Sequence, residues 1–199
     1  MNQQKRFPTI PFATKSGFTL VEVMVVVVVI GIMSAITVPS IIAWLPNYKL
    51  KSAARDLYST LQQTRLLAIR ENASVRIVFD NTVTPGFYFI DTDSSGTINL
   101  PSEQRTNLAG YGNGIDFGFP AGLVDWNGAG PAGSVVFAGN PGPPPFCTYN
   151  SNGTTGNGTI YLVNDQNHIV YAITTVVSGA IKLRKYSGIL PYNQNNWIE

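Results

Sequence analysis

The 199-residue sequence contains only one cysteine, Cys147, so no disulfide can form within the chain. A lone thiol of this kind is interpreted as a partly buried and inert side chain. The only histidine is His168, which any Ser-His-Asp arrangement would have to use, and no G-x-S-x-G motif accompanies it. A G-x-G-x-x-G motif between a strand and a helix is absent as well. We therefore expect neither an enzyme nor a cofactor.

Charged residues are few, and they are unevenly placed. The chain has 13 basic and 11 acidic residues, and Lys5, Arg6 and Lys15 lie near its start with no acid among them. Residues 1–17 hold those three basic residues, so their removal leaves 10 basic against 11 acidic residues. The remainder is therefore not a generally basic protein.

A long apolar run follows this basic start. From Phe18 to Leu45 the only ionisable residue is Glu22. The run has 28 residues, whereas a spanning helix needs about 20, and a segment in lipid must be helical to satisfy its own backbone. The preceding basic residues predict a cytoplasmic N-terminus and an exported C-terminal part. The run is too long for a removable secretory signal, and a plain membrane anchor remains the alternative.

Four residues in and around the run indicate a processed and paired segment rather than a plain anchor. They are Gly17, Phe18, Glu22 and Pro39. Cleavage between Gly17 and Phe18 would create a free amine four residues before Glu22. A carboxylate in lipid costs roughly 2.5–3.5 kcal/mol at the helix centre and less near its end, and an ammonium partner would offset much of this cost. That amine would belong to the same chain or to a neighbouring subunit. The alternative is a snorkelling carboxylate that is stabilised by the N-terminal dipole of the helix.

The stretch KSGFTLVEVMVVVVVIGIMSAITVPS, residues 15–40, resembles the class III signal of type IV pilins and pseudopilins. The resemblance implies that prepilin peptidase cleaves after Gly17 and methylates the new amine of Phe18. It also implies that Glu22 pairs with the N-terminus of the adjacent subunit during assembly. Pro39 would mark the point where the helix bends or partly melts in filaments, and a proline weakens a helix on physical grounds too.

After Pro46 the pattern becomes amphipathic and predicts a helix to about Asn72 whose apolar stripe packs on a sheet. The stripe consists of Leu50, Ala54, Leu57, Leu61, Thr64 and Ala68. From Val75 a period of two, with Gly, Asn and Pro clusters between the runs, predicts an antiparallel β domain. The strand candidates are 75–80, 86–91, 104–108, 114–119, 134–138, 158–163, 168–176 and 180–186. The Pro- and Gly-rich segment 139–158 is predicted to be a long exposed loop.

Four stretches together are similar to the GspH/FimT branch of the pilins, which includes pseudopilin H of type II secretion and the minor pilin FimT. They are KLKSAARDLYSTLQQTRLLAIRENASVRIVFD, GFYFIDTDSSGTINLPSEQ, SVVFAGN and GTIYLVNDQNHIVYAITTVVSGAIKLRKY. The implied fold class is α+β, with a long N-terminal transmembrane helix packed against an antiparallel β-sheet domain of two sheets. The implied organisation is a leader 1–17, a transmembrane and polymerisation helix 18–45, an amphipathic helix 46–73 and a β domain 74–199.

The segment DTDSSGTIN, residues 91–99, imitates the start of an EF-hand calcium loop, with Asp91 and Asp93 at positions 1 and 3. The loop needs a bidentate acid at position 12, where this chain has Ser102, and Glu103 follows one residue late. No flanking helix is predicted. The pattern therefore favours a turn between strands, and Asp91 and Asp93 are metal candidates only by this partial match.

A basic cluster lies near the C-terminus, in SGAIKLRKYSG, residues 178–188. In a strand, Lys182 and Arg184 share one face that could contact successive phosphates, with Lys185 beside them. Some FimT-type pilins carry a glycine-arginine-any-arginine motif here, and the resemblance implies DNA binding in natural transformation. This chain departs from that motif at Ile181 and Lys182. The alternative is an edge strand guarded by charges against aggregation.

The sequence thus predicts a minor pilin or pseudopilin. We expect a single-pass protein of the inner membrane with a periplasmic C-terminal domain, which then enters a pilus or pseudopilus. The expected partners are other pilin or pseudopilin subunits, prepilin peptidase and the membrane, together with DNA or secreted exoproteins for the β domain. Two alternatives remain open: a FimT-like DNA-binding minor pilin and a type II secretion pseudopilin H.

Overall fold

The computed structural model describes residues 17–99, 103–112, 114–139, 142–164 and 169–199. The chain forms two compact units, one ending at Ile42 and one comprising Ala43–Glu199. The predictions for His168, for Ser102 and for the leader before Gly17 lie outside the described residues.

The helix α1, Leu20–Glu71, contributes to both units. In the second unit its buried side chains recur at helical spacing, as the amphipathic pattern predicts. They are Leu50, Ala53, Ala54, Leu57, Leu61, Thr64 and Ala68. The helix ends one residue before the predicted Asn72, which has a φ of 49°. The N–H groups of Asn72 and Ala73 bond to the carbonyls of Ile69 and Ala68, and this Schellman geometry satisfies the terminal carbonyls.

Among the residues that the structure describes, ten strands follow the helix, and they form two antiparallel sheets. In chain order they are β1 Val75–Asp80, β2 Phe87–Asp91, β3 Arg105–Asn107, β4 Ile115–Phe117, β5 Val135–Phe137, β6 Phe146–Tyr149, β7 Gly158–Asn164, β8 Val170–Thr175, β9 Ile181–Tyr186 and β10 Trp197–Ile198. The first sheet has the order β3-β2-β1-β6, and the second has the order β10-β9-β8-β7-β4, with β5 also pairing with β7. All pairings among the described residues are antiparallel.

The main core lies where the apolar stripe of α1 meets both sheets, and aromatic rings link the sheets. Phe79 of β1 stacks on Phe137 of β5 at 5.6 Å and meets Phe117 of β4 edge-on at 5.9 Å. A second, smaller cluster covers the other face of β8, because alternate residues of that strand point to opposite faces. Tyr171 and Ile173 belong to the main core, whereas the second cluster contains Leu123, Tyr161, Val170, Ala172 and Tyr186. The α+β fold predicted from the sequence is therefore confirmed.

One prediction about the β domain is wrong. Within 139–158, which was expected to be an exposed loop, β6 pairs with β1 so that Cys147 lies opposite Ile77. Cys147 and Tyr149 are both buried. The short run Phe-Cys-Thr-Tyr lies among prolines, glycines and asparagines, and the composition of its surroundings concealed a strand that is fixed by tertiary pairing. The two-residue strand β10 carries no recognisable sequence pattern.

Candidate assembly segment and candidate ligand sites

The N-terminal end of α1 is capped by its own sequence. Thr19 directly precedes the helix, and its Oγ1 accepts a hydrogen bond from the N–H of Glu22 at 3.2 Å. Threonine at the cap and glutamate at the third helical position form the residue pair of a capping box. A carboxylate in the first turn is also favoured by the helix dipole. The observed cap bond uses the backbone of Glu22, so it leaves the carboxylate available for another partner.

The apolar run is unburied in the isolated chain. Every residue of 17–45 is exposed, including Phe18, of which 83% is accessible. Within the described residues α1 is the one helix that is long and apolar enough to cross a membrane. Contiguous apolar surface on this scale marks a site for lipid or for protein.

Glu22 is exposed, and it forms no ion pair with any residue that the structure describes. The neighbouring residues of the run are uncharged, so Glu22 remains the single acid on an apolar surface. A carboxylate in such a position is costly when lipid or packed protein surrounds it, and a cation that pairs with it would offset this cost.

Pro39 lies inside α1, and the helix continues through it and through Pro46. A proline removes one N–H from the helical ladder, which leaves a carbonyl one turn earlier without its usual donor. Two residues before Pro39, the Thr37 hydroxyl donates to the carbonyl of Met33 at 2.8 Å. The bend or melting predicted at Pro39 concerns assembled filaments, and it stays a prediction.

The EF-hand-like segment folds into a turn that is held by its own carboxylates. Carboxylate oxygens of Asp91, Asp93 and Glu103 lie within 4.8 Å of one another. The Asp91 carboxylate forms an ion pair with Arg76 at 2.6 Å and accepts a bond from the N–H of Gly96. The N–H of Ser95 donates to Asp93, and this bond lowers the pKa of the Asp93 carboxyl.

Glu103 completes this turn. It is buried, and its two carboxylate oxygens accept bonds from the N–H groups of Thr92 and Asn99. The sequence comparison with a calcium loop placed Glu103 one residue too late to be a ligand. The structure instead uses it to bind the backbone at both ends of the turn. Each of the three carboxylates therefore accepts donors from the protein, which is the hydrogen bonding expected of a structural turn.

The C-terminal basic residues do not form one shared surface. Lys182 and Arg184 lie on the same face of β9, where both bind the carboxylate of Glu199, at 3.1 Å and 2.7 Å. The hydrogen bond from Lys182 and the charge of Arg184 lower the pKa of the Glu199 carboxyl. Arg184 also donates to the Thr174 hydroxyl at 2.9 Å, and its guanidinium lies 4.3 Å from the ring centre of Trp126. Lys185 points the other way, into a groove beside α1.

A capped apolar helix with a lone acid, joined to a domain of two antiparallel sheets, is the organisation of a pilin-like subunit. The family model of the type II transport protein GspH matches residues 53–179, which is well over half of the chain. The prokaryotic N-terminal methylation motif matches residues 13–38, which include Gly17, Phe18 and Glu22. The chain belongs to the GspH family.

Similar solved structures are pilin and pseudopilin subunits. The type IV minor pilin FimU of Pseudomonas aeruginosa shares 16% identity at a TM-score of 0.44, with 67% of this chain and 90% of that chain covered. The minor pseudopilin EpsH of the Vibrio cholerae type 2 secretion system shares 16% identity at a TM-score of 0.44, with 68% and 95% covered. The search among curated proteins found no match.

Proposed function

We propose that the chain is a minor pilin or pseudopilin subunit that is cleaved after Gly17, methylated at Phe18 and assembled through its N-terminal helix. Before assembly it is a single-pass protein of the inner membrane whose β domain lies in the periplasm. The observation that carries this proposal is the fully exposed apolar run Phe18–Leu45, which contains one acid. The methylation motif covers its start and includes the expected cleavage site between Gly17 and Phe18.

The physical problem of assembly is to move this helix from lipid into a filament. Lipid tails are as apolar as the valine side chains, so the transfer gains little hydrophobic free energy, and packing and polar contacts must decide. Glu22 is the one ionisable group in residues 18–45. A salt bridge from Glu22 to the Phe18 amine of a neighbouring subunit would therefore fix the axial register of the two helices. It would also remove the cost of an unpaired carboxylate in an apolar environment.

A set of conservative variants tests this role of Glu22. Glu22→Gln keeps the size of the side chain and its capping ability but removes the charge, whereas Glu22→Asp keeps the charge. Because a hydrogen bond to a charged group contributes roughly 1.5–3 kcal/mol, we expect Glu22→Gln to enter filaments about 10- to 100-fold less than the wild type. Glu22→Asp should assemble better than Glu22→Gln. The measurement is the ratio of subunit in sheared filaments to subunit in membranes.

The matched control is Glu71→Gln, which makes the same chemical change at an exposed acid at the other end of α1. It should assemble as the wild type does. If Glu22→Gln reaches filaments at the wild-type ratio, the intersubunit salt bridge is excluded.

A role in DNA uptake would depend on Lys182, Arg184 and Lys185. The observed contacts favour a structural role for Arg184, because Glu199 and Thr174 already accept its donors and a DNA phosphate would have to displace the carboxylate. A mobility-shift assay with Lys182→Ala/Arg184→Ala, against Arg70→Ala as an exposed control, tests the alternative. An unchanged, salt-sensitive shift in the double variant would exclude this strand as the DNA site.

The choice between a pilus and a type II secretion system is open to a genetic test. Deletion of the gene should abolish either surface pili or the release of exoproteins. Complementation with the Glu22→Gln variant then shows whether the affected process needs the assembled form. If this variant restores pili or exoprotein release, that process does not depend on assembly through Glu22.

A further inference from the structure

A groove of about 480 Å³ lies within the unit Ala43–Glu199, between α1 and the strands β8 and β9. Four helical residues at i, i+4, i+7 and i+11 line one side of it, so they share one face of α1. The sheet contributes apolar side chains and one lysine. The residues that matter here are Trp44, Tyr48, Lys51, Arg55, Leu183 and Lys185.

The groove has an excess of positive charge. Lys51, Arg55 and Lys185 line it, and none of the three forms an ion pair with any residue that the structure describes. Glu199 also borders the groove, but its carboxylate is bound by Lys182 and Arg184. Three cations around one concave surface repel each other, and a bound anion would relieve that repulsion.

The helical side of the groove begins at the C-terminal end of the apolar run. The rings of Trp44 and Tyr48 lie 5.1 Å apart, and they bracket Leu45, the last residue of the run. Trp and Tyr favour the boundary between lipid and water, where their apolar rings and polar atoms are both satisfied. In the membrane-anchored state, Trp44 and Tyr48 would therefore hold the groove at the level of the lipid headgroups.

The sign of the charge is unusual for this side of the membrane. Lysine and arginine are enriched in cytoplasmic segments, whereas Lys51 and Arg55 follow the run within about ten residues on the exported side. An anionic group of the lipid surface on that side would compensate these charges.

We propose that this groove binds the phosphate headgroup of an anionic phospholipid from the outer leaflet of the inner membrane. The cations of Lys51, Arg55 and Lys185 face the phosphate, and the rings of Trp44 and Tyr48 lie against the glycerol and the upper acyl chain. The inference depends on the membrane-anchored state in the proposed function, and it does not require that the chain polymerises. It implies that a lipid leaves the groove when the subunit leaves the membrane.

Native mass spectrometry of the full-length chain tests this inference. The chain is reconstituted in nanodiscs of phosphatidylcholine with or without phosphatidylglycerol and then released into a mild zwitterionic detergent. We expect phosphatidylglycerol to be retained and phosphatidylcholine to be lost. Because each Lys or Arg near an anionic surface changes affinity about fivefold, Lys51→Gln/Arg55→Gln/Lys185→Gln should weaken retention roughly 100-fold.

Arg70→Gln is the control, since it removes an exposed cation from the same helix outside the groove. It should retain the lipid, and the single variant Lys51→Gln, at an exposed site, should show an intermediate loss. Equal retention of both lipids, or full retention by the triple variant, would overturn the inference. Competition by soluble glycerol 3-phosphate as strong as that by the lipid would overturn the membrane source. A crosslink from position 51 to an acidic protein segment, together with unchanged lipid retention in the triple variant, would show that the groove binds protein and would also overturn the inference.

The two proposals fail in different ways. An uncleaved leader would contradict the assembly function and would leave lipid retention as measured. A correctly processed chain whose triple variant still retains phosphatidylglycerol would contradict only the lipid site.

Discussion

The guanidinium of Arg184 is held by three neighbours on one face of β9. It faces the ring of Trp126, donates to Thr174 and pairs with Glu199, and only 13% of its side chain is exposed. Lys182, two residues earlier on the same face, also binds Glu199 and is 51% exposed. The sequence pattern treated the two residues as equivalent cations for phosphate. Their environments differ because Trp126, which is distant in the sequence, packs against Arg184, and no local sequence pattern predicts that contact.

This difference predicts unequal effects on stability. We expect Arg184→Ala to lower the free energy of unfolding by about 1–3 kcal/mol, since it removes a cation–π contact and a partly buried hydrogen bond to Thr174. Lys182→Ala should leave it nearly unchanged, because an exposed ion pair contributes little. Chemical denaturation of the full-length chain in detergent micelles, followed by near-UV circular dichroism, measures both variants. Equal effects of the two substitutions would contradict the structural role of Arg184.

Cys147 makes stability depend on alkaline pH. Burial raises the pKa of its thiol from the ordinary 9.0 to about 11, while its Sγ lies 3.1 Å from the Thr155 hydroxyl. The neutral thiol is thus favoured in the folded state. Its contribution to stability is complete below pH 9 and is lost as the pH rises toward 11, by at most about 1.4 kcal/mol per pH unit.

Comparison with Cys147→Ala isolates this contribution, because the variant lacks the thiol and keeps the other titratable side chains. The stability difference between the wild type and the variant should shrink between pH 9 and pH 11. The folded wild type should also resist alkylation by iodoacetamide at neutral pH and react only after unfolding. Rapid alkylation of the folded chain would show that Cys147 is not buried as described.

At the scale of the element, α1 is the part that the sequence predicts best. The helical period identified its buried stripe, and the predicted end at Asn72 lies one residue from the observed end at Glu71. Periodicity succeeds here because one face of a long helix meets a continuous core. It fails for β6, where four residues without a clear alternation become a buried strand only by pairing with β1.

Two leucines of α1 test the packing of this helix. Leu57 is buried, whereas Leu66 is 64% exposed on the same helix. Leu57→Ala should therefore cost about 2–5 kcal/mol of unfolding free energy through lost burial and a cavity. Leu66→Ala makes the same change in helix propensity and should stay within about 0.5 kcal/mol of the wild type. Urea denaturation compares the two, and a similar cost at both positions would contradict the observed orientation of the helix.

The turn at 91–103 shows why a site is harder to predict than a helix. The sequence offered Asp91 and Asp93 by their spacing alone and excluded Glu103 by one residue. In the structure Glu103 folds back to bind the N–H groups of Thr92 and Asn99, and Arg76 from the neighbouring strand neutralises Asp91. Both partners reach the turn through tertiary structure, which spacing along the chain does not report.

At the scale of the whole molecule, the chain divides its tasks between an exposed apolar segment and a folded β domain. The β domain and residues 50–68 of α1 form one core and a smaller aromatic cluster, and residues 18–45 contribute no buried side chain to either. The apolar segment, by contrast, has no cover in the isolated chain and must obtain it from lipid or from other subunits. The family match and the methylation motif support the same division.

The most direct test of this account is the mass of the intact chain purified from cells with an active prepilin peptidase. The account predicts a polypeptide that begins at an N-methylated Phe18, with residues 1–17 removed. A chain that still carries Met1 in those cells would contradict it, and the molecule would then be a β domain on a plain membrane anchor.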